Sequence, residues 1–185
     1  MNRELKVLYS AQFVNALADY LLIPIFALLV IQISTKVQLV GVLFAIQYLT
    51  SSVVSLFVIR MKDQSHLDEY LLKLNYFIKG FGWLFLIFFQ TVPMLIFVEI
   101  LIGIASGIGS PSFSSLISEH LDKNKHLAEW GDSILIQNLA IGLGSLLAGY
   151  ILASHGFTAI FIAMTIFEFA SFFICHYALQ KRYSR

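Results

Sequence analysis

Asp19 and Lys79 are the residues on which a chemical argument can start, because each interrupts a long apolar run of this 185-residue chain near its midpoint. An isolated charge at the centre of a bilayer costs between about 2.5 and more than 10 kcal/mol, so each must face a partner, a cavity or water. Counted from the same side, both lie roughly 17 Å deep at 1.5 Å per residue. Two readings follow: a static lock between helices, or a site that releases one of the two charges to a bound molecule. Gln12, Asn15 and Asp19 are spaced i, i+3, i+7 and share one helix face, a stripe that cannot sensibly face lipid. Gln47, Ser51 and Ser55 repeat every four residues, Asn75 pairs with Lys79 in the same way, and Gln137 and Asn138 form an adjacent amide pair. Interhelical hydrogen bonding explains such residues at about 0.6 kcal/mol per contact; a water-filled pathway is the favoured reading of the first stripe. Glu99 and Glu168 add two carboxyls at membrane depth. Burial disfavours the charged form of a carboxyl, the chemistry a proton carrier needs, so the proton is a candidate coupling ion.

The elements that must position these groups are helices. Hydrophobic residues make up 58% of the sequence and charged ones 12%, and mean hydropathy is +0.81, far from the half-apolar, quarter-charged make-up of soluble domains. Six apolar runs are expected to span a membrane, at 8–33, 37–59, 67–89, 93–118, 127–153 and 156–179. A helix of about 20 residues suffices for a core of about 30 Å, whereas transmembrane strands need only about 10 alternating residues. The fold class is therefore all-α: a polytopic membrane protein of six transmembrane helices in one domain, since no Pro-, Gly- or Ser-rich linker divides it. The first apolar run is too long for a signal-peptide core and is expected to stay. Short connections at 34–36, 90–92 and 154–155 force antiparallel neighbours. Pro24 and Pro111, at comparable depths in the first and fourth runs, suggest a three-plus-three inverted repeat.

Basic residues orient the bundle. Arg3, Lys6, Arg60, Lys62, Lys123, Lys125, Lys181, Arg182 and Arg185 fall on one side and only Lys36 on the other, which puts both termini in the cytoplasm. With a net charge of +1 spread over several loops there is no nucleic-acid footprint. Cys175 is the only cysteine, which excludes an intrachain disulfide and a cysteine metal site. His120 and His126 flank Asp122 in a loop, a combination that is far more often solvated surface than a metal site. No metal and no cofactor are expected. Gly142 and Gly144 lack the third glycine of a dinucleotide fingerprint, and Gly109-Ser-Pro-Ser lacks the lysine of a phosphate loop. No His–Glu metal motif or Ser/His/Asp arrangement stands at membrane depth, so an enzyme is not expected.

The stretch from Glu99 through Gly103 and Gly107 to Pro111 resembles the fourth helix of the major facilitator superfamily, with Glu99 where the family has arginine. Gly144-Ser145-Leu-Leu-Ala148-Gly149 resembles its glycine-rich helix 5 motif, and Gly156-Phe157 with Phe161 its start of helix 6. Around Arg60-Met-Lys62 only the basic character of the family's loop between helices 2 and 3 is kept, with Ile59 at its aspartate position. Asp122 to Trp130 is similar to half-size members of the superfamily. The resemblance implies one half of a secondary transporter, a small solute as substrate, the bilayer of a prokaryotic cytoplasmic membrane as surroundings, and a homodimer supplying both halves. It also implies that Glu168, on helix 6, packs outside the cavity. Gly103, Gly107, Gly144 and Gly149 are expected to pack helices closely. The rival expectation is a non-transporting membrane protein with an assembly or scaffold role, whose buried charges only lock helices.

Overall fold

The structure, a computed structural model, describes residues 3–60, 65–120 and 126–180. Lys62, Asp122, Lys123, Lys125, Lys181, Arg182 and Arg185 lie outside the described residues, as do the side chains of Arg3, His120 and His126. All the described secondary structure is helical: α1 (Arg3–Leu22), a 3₁₀ turn (Ile23–Ile25), α2 (Phe26–Ser34), α3 (Gln38–Ile59), α4 (Ser65–Phe88), α5 (Val92–His120) and α6 (His126–Gln180). Among the described residues five stretches are long and apolar enough to cross a membrane, where six were expected. The difference arises in α6, whose apolar stretch runs 51 residues and bends at Gly156.

The two prolines act differently. Pro24 has no N–H to give the helix ladder, and α1 tightens there into one 3₁₀ turn before continuing as α2. Pro111 sits inside α5, which continues through it. Helix α2 ends at Thr35, in the left-handed region at φ 55, whose N–H reaches Ile31 O at 3.0 Å. The expected loop at 154–155 is helical instead, and Gly156 alone makes the turn, at φ 75 and ψ −176. Only glycine adopts that backbone conformation without a Cβ clash.

Two hydrogen bonds show that the chain reverses at this turn. Near one end of the bundle Tyr9 Oη donates to Glu129 O (2.8 Å), and Ser171 Oγ donates to Ala11 O (3.1 Å). Both arms of α6 therefore return to the same turns of α1. At the opposite end Thr158, just past the bend, stands 3.3 Å from Gln90, between α4 and α5.

Helix α1 packs chiefly on α6, α4 on both α5 and α6, and α3 on α5. The seam between α3 and α5 depends on glycine. A Cβ on Gly103 would stand 2.6 Å from Gln47 O, and one on Gly107 2.7 Å from Ser51 O. Gly144 approaches Leu17 O of α1 similarly, at 3.1 Å for a built Cβ. Gly149, also expected to pack, faces away from the bundle, where an added methyl would meet nothing. Gly109, not singled out for packing, is the tightest: a Cβ there would fall on the Asn75 side chain.

The apolar core sits toward the end of the bundle that holds Gln90. Leu22, Phe26, Leu29, Val30, Leu43, Trp83, Leu86, Leu95, Val98, Ile160 and Phe161 are buried together there. Between helices in lipid such contacts act through van der Waals packing rather than release of water. The other half of the bundle holds a cavity.

Candidate functional site

The cavity measures about 480 Å³, within the 300–1,000 Å³ range of ligand pockets. Its wall is built by α1, the 3₁₀ turn, the start of α2, α3, α4, α5 and the first arm of α6. Leu22, Phe26 and Trp83 join it to the apolar core, while Phe113, Ser114 and Trp130 line its other end. The periodicity of each helix decides what enters. On α1 the i, i+3, i+7 stripe brings Gln12, Asn15 and Asp19 to the cavity together. On α3 the four-residue stripe divides: Gln47 and Ser51 line the cavity, and Ser55 donates instead to Gly107 O across the α3–α5 seam (3.0 Å).

Asp19 and Lys79 meet. Lys79 Nζ lies 2.7 and 3.0 Å from the two carboxylate oxygens of Asp19 and 3.1 Å from Asn15 Oδ1. Asn15 Nδ2 stands 3.4 Å from Asp19 Oδ2, the same oxygen that takes the shortest lysine contact. All three donors of an ammonium are thus occupied by acceptors. Lys79 is buried, but the Asp19 side chain keeps 24% of its surface accessible, toward the cavity. The pair is therefore reachable by water and small molecules.

Glu168 completes the cluster from behind. It lies on the second arm of α6, fully buried, with Oε1 4.0 Å from Lys79 Nζ. The indole Nε1 of Trp83 faces its carboxyl and interacts with it without reaching full hydrogen-bond geometry. Glu168 does not line the cavity with the other candidate pathway residues, yet it reaches the central lysine.

Glu99 is set apart. It is buried on α5 and lines the cavity, with no ion pair or hydrogen bond among the described residues. Gln137 also lines the cavity, whereas Asn138 is exposed on the outside of α6. Successive helix residues point about 100° apart, so an adjacent pair cannot share a face. Residues the sequence reading did not single out also line the wall, among them Tyr20, Phe44, Tyr48, Trp83 and Trp130. Aromatic residues are abundant throughout the sequence, 15% of the chain, and nothing about these five set them apart.

A helical bundle with charged residues around a cavity at membrane depth is a transporter-like shape, and the sequence decides its family. Residues 8–184 match the family model described as Major Facilitator Superfamily. The chain belongs to that superfamily. Among solved structures, the in meso crystal structure of the POT family transporter PepTSo is similar to it, with a TM-score of 0.66 at 19% identity. The match covers 95% of this chain and 37% of that one, so this superfamily chain spans little more than a third of that transporter's length. No curated protein matches it significantly. As a superfamily member it is an integral membrane protein, and the resemblance read from Gly103, Gly107 and Gly144 holds across nearly the whole chain.

Proposed function

We propose that this chain is a subunit of a secondary transporter that moves a small solute by alternating access around the Asp19–Lys79 level, as a parallel homodimer. The observation that carries this is the partly accessible Asp19–Lys79 pair in the wall of a cavity large enough for a solute. Secondary transporters of this kind pair two similar halves about an axis along the membrane normal, and this chain matches 37% of such a protein. A second copy fits the requirement. Helix α3 and the outer side of the first α6 arm carry exposed Tyr48, Leu49, Phe57, Leu139, Leu146 and Tyr150, which lipid or a partner would cover.

In this reading the arms of α6 are two crossings, giving six in one unit, with both termini on the cytoplasmic side of a prokaryotic membrane. A three-plus-three repeat would pair α1–α2 with α5 through Pro24 and Pro111. The proton is the candidate coupling ion, taken up at Glu99 or Glu168. A second reading has one observation in its favour: Lys79 contacts Asp19 and Asn15 at hydrogen-bonding distance, as in a static lock of a non-transporting membrane protein.

Uptake into proteoliposomes separates the two. Under the transport reading, Asp19→Asn combined with Lys79→Ala assembles as the native chain does and moves no solute from a radiolabelled panel. Native-level uptake by that double variant defeats the reading.

A further inference from the structure

The charges in the cavity wall do not balance. Among the described lining residues Lys79 is the single cationic side chain, and Asp19 and Glu99 are the anionic ones. Lys79 is committed to Asp19 at 2.7 Å, which leaves the Glu99 carboxylate unanswered. The positions on α5 that face α3 and α4 fix how far apart these groups are. Gly103 lies against Gln47 and Thr50, Gly82 against Ile102 and Val98, and Gly109 against Asn75. Lys79 is therefore level with the turn around Ala105, and Glu99 lies six residues farther toward the apolar end, roughly 9 Å at 1.5 Å per residue. At that depth the wall is aromatic and aliphatic: Phe26, Phe44, Trp83 and Ile102. Phe26 and Phe44 pack ring to ring at 4.9 Å, presenting a paired aromatic surface.

A buried carboxyl, only 5% exposed and without a counter-charge, ionises only at a cost of several kcal/mol and is otherwise neutral. A cation seated beside it is therefore what stabilises its charged form, and a ring face within about 6 Å attracts the same cation. Each of these features selects against an anion and for a cation with an apolar body. We propose that the cavity takes a monovalent organic cation, an amine or quaternary ammonium, with its charge on Glu99 and its body against Phe44 and Trp83. This rests on the cavity being the solute pathway. A second copy of the chain would add another Glu99 to the pathway and no free basic residue from this wall, so dimerisation strengthens the preference.

The test is equilibrium binding to the purified full chain in detergent, which needs no transport. The probes are phenyltrimethylammonium and tetraphenylphosphonium, which carry fixed charges and no titratable proton, with tetraphenylborate as the shape-matched anion. The wild type is expected to bind at least one cation saturably, and tetraphenylborate not to compete. Glu99→Gln weakens that binding at least tenfold, Glu99→Asp restores part of it, and Asn138→Ala, outside the cavity, leaves it unchanged. Thermal unfolding checks that the Glu99 variants fold; if Glu99→Gln does not, Glu99→Asp and the cation–anion comparison decide. No saturable cation binding, equal binding of the borate, or full affinity in folded Glu99→Gln overturns the proposal. Glu99-dependent binding without uptake would uphold it while defeating the transport reading. Uptake of neutral or anionic solutes that ignores Glu99 would do the reverse.

Discussion

Helices α1 and α3 line the same cavity but are fastened to the bundle in opposite ways. About half of the most apolar window of the α1–α2 stretch is buried, against 6% for α3. Helix α1 is tied by the Asp19–Lys79 ion pair, by Tyr9 to Glu129 and by Ser171 to Ala11. Helix α3 contributes Phe44, Gln47, Tyr48 and Ser51 to the wall yet takes part in no ion pair among the described residues. It leans on α5 through the missing side chains of Gly103 and Gly107, with one interhelical hydrogen bond from Ser55. Charge fixes a helix at one register, because a slip strands an ion in a low dielectric; backbone-to-backbone contact tolerates sliding. The difference is one of fastening: α1 is held by charge and hydrogen bonds, α3 by close backbone contact and a single hydrogen bond.

Breaking the fixed side has the largest effect. Lys79→Ala leaves Asp19 and Glu168 facing each other without a cation, and removal of one member of a buried pair costs about 3 to 5 kcal/mol; the accessibility of Asp19 puts the expectation near the lower figure. The double variant Asp19→Asn with Lys79→Ala should lose less, and thermal unfolding in detergent compares them. A double variant less stable than the single one contradicts the account of α1. On the other side, Gly103→Ala places a methyl against Gln47 O, and overpacking of this kind costs about 1 to 3 kcal/mol. Its signature is a widened α3–α5 gap, read as reduced crosslinking between cysteines introduced at Thr50 and Ile104, with α1 crosslinks to α6 unchanged. The smallest effect is expected from Ser55→Ala, about 0.6 kcal/mol for one interhelical hydrogen bond in a membrane. If it destabilises as much as Lys79→Ala, the seam is not the loose attachment described.

What was legible beforehand follows from what hydrocarbon forbids. Asp19, Lys79 and the Gln12–Asn15 stripe cannot face lipid, so their inward position could be argued from spacing alone, and the structure brings them together. The approach of Glu168 to Lys79 could not be read, because it depends on how the second α6 arm wedges between α1 and α4. Asn138 shows the limit of composition: its polarity matches Gln137, but one helical step turns it outward. The glycines divide in the same way. Gly103 and Gly107 stand one turn apart on the face toward α3, while Gly149, equally small and equally close to a motif, has no neighbour. Helix count failed to emerge cleanly for a local reason, since a single glycine at φ 75 replaces the expected loop.

That replacement has a mechanical side. With one residue as the whole connection, there is no slack by which either arm of α6 could travel lengthwise past the other. Each arm is held to α1 by its own hydrogen bond, Glu129 to Tyr9 and Ser171 to Ala11, so any change in the angle between the arms falls on Gly156, the residue with the widest backbone freedom.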